Sequence, residues 1–293
     1  MKSNTVLITG ASGLLGNYLS KYFLGNNYNV VSLRKNHSLN LSGVEEIEIE
    51  LLDFAAVKNL FNRVRPKYVI HCAGLTNVDE CEKNESLAKK IHVDLSQLVA
   101  QISVELDIKM IHISTDHLWD GTKAMIKEDT PFCPLNVYGK TKAEAELAVL
   151  SANPKSLILR TNFFGPGLKW RQSFSDWIIN SLNRNEKINA FADVFFTPIS
   201  IFHLSDAILK LIQKQADGVY HVVGGERISK FEFAVLIAKT LDKSINLINP
   251  ISIKDVTLYA RRPLDMSLSA EKIQKLFGQP MSDIRTSIAT LNN

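Results

Sequence analysis

A tyrosine and a lysine stand four residues apart, at Tyr138 and Lys142, in a stretch from Tyr138 to Leu150 with helical periodicity. Residues i and i+4 lie on one face of a helix, so both side chains can address the same site. A tyrosine phenol has a pKa of ~10, whereas a proton donor is most efficient when its pKa lies near the working pH. One positive charge at ~4 Å and an effective dielectric of ~20 supplies about 4 kcal/mol, enough for a drop of roughly 3 pKa units. The pair therefore predicts a tyrosine general acid whose pKa is lowered by a lysine.

A strand-end turn, Ser114-Thr115-Asp116, follows the predicted strand Met110–Ile113. Ligands of open parallel sheets bind at the carboxyl ends of the strands. We expect a hydroxyl of this turn to hydrogen-bond a substrate carbonyl beside Tyr138, although the turn can instead cap the next segment. On the predicted helix we expect a solvated face at Glu144–Glu146, with Glu146 one turn beyond Lys142.

A glycine-rich turn follows the first predicted strand, Val6–Thr9, with the spacing GxxGxxG. Glycine allows a tight turn and a close approach of the backbone to a diphosphate, and the next helix offers its N-terminal N–H groups to the phosphates. The position between a strand and a helix favours dinucleotide binding over an unliganded turn. The residues of this loop predicted to bind the cofactor are Gly10, Ser12, Gly13, Leu14, Leu15 and Gly16.

The cofactor predicted from the second strand is NADPH, with NADH as the other candidate. An NAD site usually has Asp or Glu on the ribose about 20 residues beyond the glycines, but the first acidic residue of this chain is Glu45. Arg34 and Lys35 stand there instead, and two bases suit the extra phosphate of NADPH. Asp53 and Phe54 are expected to meet the adenine, with Asp53 also a helix N-cap. The acidic run Glu45 to Glu50 is expected to be a solvated strand edge.

The elements that must position these residues alternate between short apolar runs and helical stretches, which predicts an α/β fold with a Rossmann-type doubly wound parallel sheet. A second, smaller mixed α/β domain is expected to bind substrate. We predict a dinucleotide-binding domain at 1–165, rejoined by a strand near 218–223, and a mainly substrate-binding domain at 166–293. The predicted strands are Val6–Thr9, Val30–Leu33, Glu46–Leu51, Tyr68–His71, Met110–Ile113 and Ser156–Leu159, and one long amphipathic helix is predicted at Ser86–Leu106.

The composition excludes several classes of protein. The 293 residues are 45% hydrophobic and 22% charged, which is ordinary for a globular protein and unlike disordered, collagen or coiled-coil chains. The net charge is +4 with scattered bases, so no nucleic-acid partner is expected. No apolar run approaches the ~18 residues of a membrane span, and three cysteines are too few for a disulfide framework, so we expect a cytoplasmic protein. His71, Cys72 and Cys81 match no compact zinc pattern, and no metal is expected.

Together these motifs resemble the extended short-chain dehydrogenases/reductases, and among them the dTDP-4-dehydrorhamnose reductases, over nearly the whole chain. The resemblance rests on Gly10–Gly16, Cys72–Glu82, Ser114–Gly121, Pro134–Lys142, Leu159–Thr161, Gly218–His221 and Arg262-Pro263. It implies hydride transfer from NADPH to the C4 ketone of a nucleotide-linked 4-keto-6-deoxy sugar, in dTDP-rhamnose and cell-surface polysaccharide synthesis. By analogy it also implies a homodimer.

The resemblance also assigns residues to roles. The catalytic set is Thr115, Tyr138 and Lys142. Tyr138 and Lys142 are also expected to contact the cofactor, and Lys142 holds the nicotinamide ribose. Ala73 and Gly74 are expected to lie against the cofactor. The substrate contacts it implies are Thr76, Asp116, Trp119, Phe164 and Arg171, with Asn162-Phe163-Phe164 bordering the sugar.

The chain departs from this family pattern near the sugar. Asn162-Phe163-Phe164-Gly165 stands where the family more often begins a loop with Ser-Trp, and Trp119 stands where phenylalanine is more usual. Three alternatives stay open. One is an NAD-dependent epimerase or dehydratase, although the dehydratases resemble one another in a Thr-Asp-Glu turn and this chain has Thr115-Asp116-His117. The others are a non-catalytic regulatory subunit and a nucleotide-binding redox sensor.

Overall fold

The computed structural model describes residues 4–292. Its strands are β1 (Thr5–Thr9), β2 (Asn29–Arg34), β3 (Val44–Glu48), β4 (Tyr68–His71), β5 (Lys109–Thr115), β6 (Leu157–Thr161), β7 (Phe163–Phe164), β8 (Ile188–Phe191), β9 (Phe195–Phe196), β10 (Ile199–Ser200), β11 (Gly218–His221), β12 (Ile228–Ser229) and β13 (Ile248–Ile251). Its α-helices are α1 (Leu14–Gly25), α2 (Phe54–Val64), α3 (Val78–Lys83), α4 (Glu85–Lys89), α5 (Leu95–Glu105), α6 (Val137–Ala152), α7 (Phe174–Asn183), α8 (Ile201–Gln213), α9 (Lys230–Thr240), α10 (Glu271–Phe277) and α11 (Ile284–Ala289). A π-helical segment, Lys90–Asp94, joins α4 to α5.

Seven strands form one sheet in the order β11-β6-β5-β4-β1-β2-β3. The pairs of β1 with β2, β1 with β4, β2 with β3 and β4 with β5 are all parallel. From β1 the chain adds strands first on one side and then on the other, which makes the sheet doubly wound and puts its switch point between β1 and β4. The predicted α/β fold class is therefore confirmed.

The apolar runs of the sequence are the buried strands of this sheet. All five residues of β1 are buried, as expected when crossovers cover both faces of a parallel sheet. Helix α2 turns Val57, Leu60 and Phe61 into the same core, and its N-terminus is capped by Asp53, which accepts a hydrogen bond from the Ala56 N–H at 3.0 Å. Packing of this kind fixes the sheet whose strand ends carry the predicted site.

The chain folds into two compact units. Unit 1 consists of the described residues up to Ser114 together with Asn136–Leu159 and Leu211–Val219. Unit 2 consists of Thr115–Leu135, Arg160–Lys210 and the described residues from Tyr220 onward. The division into a cofactor domain and a substrate domain at residue 165 stays a prediction.

Unit 2 is built on three pairs of short strands, in which β10 pairs with β7, β12 with β9 and β13 with β8. Its core is apolar and centres on α7, α9 and α11, with Ile178, Phe196, Phe233 and Ile237 fully enclosed. Strands of two residues carry no readable alternation, so the sequence predicts none of them. Nowhere in the described chain is a helix long and apolar enough to cross a membrane.

The predicted helix Ser86–Leu106 is wrong in one respect, because it is interrupted. Asn84 caps α4 by accepting from the Leu87 N–H at 3.0 Å, and the π-helical segment then separates α4 from α5. Such π segments are rare and occur frequently at functional sites. The buried residue of this segment is His92, which lies beside the candidate site.

Candidate active site

The glycine loop of unit 1 needs glycine at two of its positions. Gly10 has φ +64, the left-handed region, and a Cβ there would lie 2.8 Å from the Ala73 backbone. At Gly16 a Cβ would lie 2.5 Å from the Gly10 carbonyl oxygen. The loop is closed by the Gly13 N–H, which donates to the Gly10 carbonyl at 2.9 Å. The turn is therefore as tight as a nucleotide-binding loop requires.

The N-terminus of α1 is prepared for an anion. Its N-cap is Gly13, and within the described residues no side chain caps it and no acidic residue stands in its first turn. The first N–H groups of a helix have no intrahelical partner, and the helix dipole makes this end positive. The loop residues Gly10–Gly16 thus fit the diphosphate of a dinucleotide.

The two bases after β2 have carboxylate partners that the sequence analysis missed. Arg34 reaches Glu48 with Nη1 at 2.7 Å and Glu46 with Nε at 3.3 Å, and Lys35 Nζ lies 2.6 Å from a Glu50 oxygen. The expectation of a solvated edge is wrong for Glu46, whose side chain is only 16% exposed. The sequence alone does not reveal these ion pairs, because they follow from the parallel register of β2 and β3, which pairs Arg34 with Glu48.

The other predicted cofactor residues lie at strand ends of unit 1. Asp53 is the exposed N-cap of α2, and Phe54 packs half-buried against the core. After β4, the Ala73 N–H donates to Thr9 Oγ1 at 3.2 Å, and Gly74 is exposed. Each is accessible or close to the glycine loop, and their contact with a cofactor stays a prediction.

Lys142 is buried on α6, with only 6% of its surface exposed. Its Nζ donates to the Ile113 carbonyl of β5 at 2.8 Å and lies 3.5 Å from His112 Nε2. Burial lowers the pKa of Lys142 to about 8, while the charge of Glu146 opposes that shift. The ammonium is thus held in place beside the end of β5, and its charge can be lost within a mildly alkaline range.

The expectation that Glu146 lies on a solvated face is wrong, because it is 1% exposed. Its carboxylate accepts a hydrogen bond from the Ser114 hydroxyl. One turn of helix separates Glu146 from Lys142, so the carboxylate supports the buried ammonium. Of the two hydroxyls in the strand-end turn, Ser114 is consequently committed to the protein, and Thr115 is the better candidate for a substrate contact.

The start of α6 places Tyr138. Asn136 caps the helix by accepting from the Gly139 N–H at 2.9 Å, and the Val137 N–H donates to a Glu82 carboxylate oxygen at 2.9 Å. Tyr138 is half-buried and its ring meets His92 edge-on, with centroids 5.7 Å apart. The tyrosine is therefore fixed on the first turn of the helix that carries Lys142.

His92 is a residue of this site that sequence reasoning missed. Its Nδ1 lies 2.8 Å from Thr141 Oγ1, and its Nε2 lies 3.0 Å from the Leu75 N–H nitrogen. Burial is the main cause that lowers the pKa of His92 to about 3, so the ring is neutral at physiological pH. His92 thereby ties the loop after β4 to the Tyr138 helix.

Two further buried imidazoles line the same part of unit 1. His71 bonds Thr9 Oγ1 at 2.8 Å, and its ring stacks on His112 with centroids 5.6 Å apart. Burial lowers the pKa of both histidines, that of His71 to about 3, and raises the pKa of the Cys72 thiol to about 12. In residues 4–292 no cluster of three or more His, Cys, Asp or Glu side chains is arranged to hold a metal ion.

In unit 2 the predicted substrate residue Asp116 is 2% exposed and heavily engaged. Its Oδ2 accepts from the Asn162 amide, and its Oδ1 lies 3.3 Å from the Thr115 hydroxyl. Thr115 Oγ1 in turn accepts from the His117 N–H at 3.3 Å. Asp116 therefore orients both the threonine and the asparagine of the predicted sugar segment.

Unit 2 also has a lysine, Lys230, for which the sequence analysis predicts no role. It is the first residue of α9, directly after the N-cap Ser229, which forms a capping box with Glu232, and its Nζ lies 3.3 Å from the centre of the Phe196 ring. Burial lowers the pKa of Lys230 to about 8, and the charge of Asp116 opposes the shift. The chain thus places an ammonium and a carboxylate within electrostatic range of each other in this unit.

The other four predicted substrate contacts have different surroundings. Trp119 is 5% exposed, donates its indole N–H to the Pro131 carbonyl at 2.9 Å, and has the Arg160 guanidinium 5.3 Å from its ring centre. Phe164 is 3% exposed and packs edge-on against Phe233. This enclosure favours packing roles for both. Arg171 is exposed in the loop before α7, and Thr76 is exposed before α3.

The site and the fold define a nucleotide-dependent oxidoreductase of the extended short-chain type. The family model described as "RmlD substrate binding domain" matches residues 4–293, and the chain belongs to this family. The resemblance drawn from the motifs is thereby confirmed.

Individual relatives agree with this membership. The chain is 29% identical to "dTDP-4-dehydrorhamnose reductase" of Aggregatibacter actinomycetemcomitans, over 98% of this chain and 97% of that protein. It is also 29% identical to "Methionine adenosyltransferase 2 subunit beta" of Xenopus laevis, over 94% and 83%. Among solved structures, it is similar to dTDP-4-dehydrorhamnose reductase from Bacillus anthracis in complex with NADP, with a TM-score of 0.88, 27% identity, and coverage of 100% and 99%.

Proposed function

We propose that this protein is an NADPH-dependent reductase of the C4 ketone of a nucleotide-linked 4-keto-6-deoxy sugar. The observation that carries the proposal is the buried, hydrogen-bonded Lys142 one helical turn from Tyr138, in a Rossmann-type unit with an uncapped glycine loop. The family membership supports it, since relatives named for this reduction cover nearly the whole chain.

The cofactor would be held by unit 1. The first turn of α1 supplies N–H groups for the diphosphate, and Arg34 is the base at the end of β2 for the additional phosphate. Lys142 is placed to donate to ribose hydroxyls with the N–H groups that Ile113 leaves unused. The similar structure from Bacillus anthracis holds NADP, which supports the same choice here.

When bound, NADPH supplies the hydride. Tyr138 donates the proton that the developing alkoxide requires. Thr115, whose hydroxyl donates to Asp116 Oδ1 in this structure, turns that hydrogen to the same substrate oxygen. The Lys142 ammonium lowers the pKa of the phenol by its charge. Asp116 keeps Thr115 and Asn162 oriented, and its own contact with the sugar is a further proposal.

The experiment combines purified protein with NADPH and dTDP-4-keto-6-deoxyhexose and follows NADPH absorbance, with NADH in parallel. Consumption that requires the sugar, and that is faster with NADPH, supports the proposal. A rate of consumption that the sugar does not raise, in a protein that demonstrably binds NADPH, overturns it. A control reaction with the corresponding 6-hydroxy sugar nucleotide, which has no ketone, measures any NADPH oxidation that does not depend on the ketone.

A second candidate function is a non-catalytic, nucleotide-binding subunit. The observation that favours it is the similarity to methionine adenosyltransferase 2 subunit beta over 94% of this chain. NADPH binding without turnover on any keto-sugar nucleotide would support this candidate over the reductase. A cytoplasmic homodimer is the state we infer from the family analogy, and sedimentation of the purified protein tests the oligomer.

A further inference from the structure

The end of β2 carries an arginine that is already paired with carboxylates. Arg34 Nη1 lies 2.7 Å from Glu48, and its Nε lies 3.3 Å from Glu46. The parallel register of β2 and β3 places Arg34 opposite Glu48, so the pairing follows from the sheet itself. The guanidinium is therefore engaged before any ligand arrives.

The two carboxylates are held very differently. Glu46 is 16% exposed and accepts hydrogen bonds from the Ser38 hydroxyl at 2.8 Å and the Leu39 N–H at 2.9 Å. These hydrogen bonds lower the pKa of Glu46 against the opposing effect of burial, so it stays ionised. Glu48 is 68% exposed and can swing into solvent. Glu46 is thus a fixed negative charge and Glu48 a movable one.

This trio, Arg34 with Glu46 and Glu48, adjoins the glycine loop. The Ala11 N–H of the loop donates to the Leu33 carbonyl at 2.9 Å, and Arg34 is the next residue. In doubly wound folds the adenosine ribose of a dinucleotide lies at the end of the second strand. The 2′ position of the ribose is therefore the part of the cofactor that Arg34 and its carboxylates would meet.

The charges of the trio bear on both cofactors. One guanidinium with two carboxylates carries a net charge of −1, whereas the 2′-phosphate of NADPH carries roughly −1.5 to −2. The phosphate would compete with Glu48 for the Arg34 guanidinium and would stay near the fixed charge of Glu46. A ribose 2′-hydroxyl, as in NADH, can instead donate to a carboxylate.

We propose that Glu46 and Glu48 are specificity-determining residues, which compete with the cofactor 2′-phosphate for Arg34 and so weaken the preference for NADPH over NADH. This inference rests on the proposed function, because it concerns the cofactor of that same site. The surface pair of Lys58 and Glu105, which has no predicted role in cofactor binding, serves as its control. Lys58 Nζ lies 3.0 Å from a Glu105 carboxylate oxygen, their side chains are 50% and 52% exposed, and a surface pair of this kind contributes little.

The test measures binding without catalysis. NADPH and NADH are titrated by fluorescence, and adenosine 2′,5′-bisphosphate and adenosine 5′-monophosphate are titrated by calorimetry. For Glu48→Gln we expect the NADPH dissociation constant to fall about two- to fivefold while that of NADH is unchanged or rises. For Arg34→Ala we expect NADPH binding to weaken by about tenfold or more, with little change for NADH.

The variant Glu46→Gln should act in the same direction as Glu48→Gln, and the control variant Glu105→Gln should leave the NADPH to NADH ratio unchanged. Thermal melts check that each variant remains folded. An equal gain for Glu48→Gln and Glu105→Gln would show a general charge effect and overturn the proposal. If the protein binds both cofactors and no variant changes the ratio of their dissociation constants, this proposal is wrong and the proposed function is untouched. If the unmodified protein binds neither cofactor, the proposal and the proposed function are both wrong.

Discussion

Two lysines of this molecule, the buried Lys142 in unit 1 and the half-buried Lys230 in unit 2, have lost part of the solvent that ordinarily keeps an ammonium charged. Burial lowers the pKa of each to about 8, and in each a carboxylate opposes the shift, Glu146 for the first and Asp116 for the second. Their surroundings differ. Lys142 donates to a backbone carbonyl of the central sheet, whereas Lys230 lies over aromatic rings at the start of a helix.

The difference shows two ways of placing a charge. Lys142 is positioned by its spacing from Tyr138 along one helix, which any reader of the sequence can find. Lys230 directly follows the two-residue strand β12, which pairs with β9, and it starts a helix at a capping box, so its neighbourhood exists only in the fold. We expect the first lysine to govern chemistry and the second to govern recognition of the substrate.

The largest expected effect comes from removing the proton donor beside Lys142. Tyr138→Phe should lower kcat by about 10²- to 10⁴-fold, because general acid catalysis contributes that range, while the NADPH dissociation constant changes little. Steady-state kinetics and fluorescence titration measure the two effects. Tyr259→Phe, at a side chain that is 64% exposed, is the control and should behave like the parent. Parental turnover in Tyr138→Phe would remove Tyr138 from the mechanism.

The second prediction is that Lys230, unlike Lys142, serves the binding of the sugar nucleotide and not the binding of NADPH. Lys230→Met should raise KM for the sugar nucleotide about tenfold, on the scale of one lost charge-assisted contact, and leave NADPH binding unchanged. The control is Lys239→Met on the same helix, whose lysine is exposed. If Lys230→Met weakens NADPH binding and spares KM for the sugar, the assignment of the two lysines to different tasks is wrong.

The third prediction concerns pH. A lysine is charged below its pKa, so the ammonium of Lys142 is present below about 8 and is lost as the pH rises through that value. Activity measured as kcat/KM should therefore be full near pH 7 and fall above about 8. A rate that stays constant up to pH 9.5 would show that the charge of Lys142 is not required.

The smallest expected effect comes from the carboxylate that supports Lys142. Glu146 favours the charged lysine, so Glu146→Gln should lower the pKa of Lys142 and move the alkaline limb of the profile to lower pH by about one unit or less. Glu144→Gln, on a half-buried residue of the same helix, should leave the limb in place. A shift to higher pH in Glu146→Gln would contradict the electrostatic role of Glu146.

The sequence predicts much of unit 1 because its signals are local. Apolar runs such as Val6–Thr9 and the glycine turn after them depend on neighbours in the chain, and β1 lies within one residue of the predicted strand. The partners of Arg34 and the burial of Glu146 could not be predicted, since they depend on strand register and on Ser114 of another element.

Unit 2 is harder to predict for the same physical reason. Its strands β7, β9, β10 and β12 are two residues long, and periodicity cannot be read from two residues. Trp119 and Phe164 are aromatic and stand near motif residues, which made them reasonable sugar contacts, but their enclosure in the unit depends on Pro131 and Phe233 from distant segments. The roles of such side chains cannot be assigned from the sequence, because they depend on contacts that only the fold creates.

The central claim is that this chain transfers hydride to a sugar ketone with Tyr138 as the proton donor. The direct measurement incubates the protein with NADPH deuterated at C4 and with dTDP-4-keto-6-deoxyhexose, and analyses the product by mass spectrometry. The account predicts a 4-hydroxy sugar nucleotide that carries deuterium at C4, with formation almost abolished in Tyr138→Phe. A sugar nucleotide recovered unreduced and without deuterium, from a protein that demonstrably binds NADPH, would contradict it.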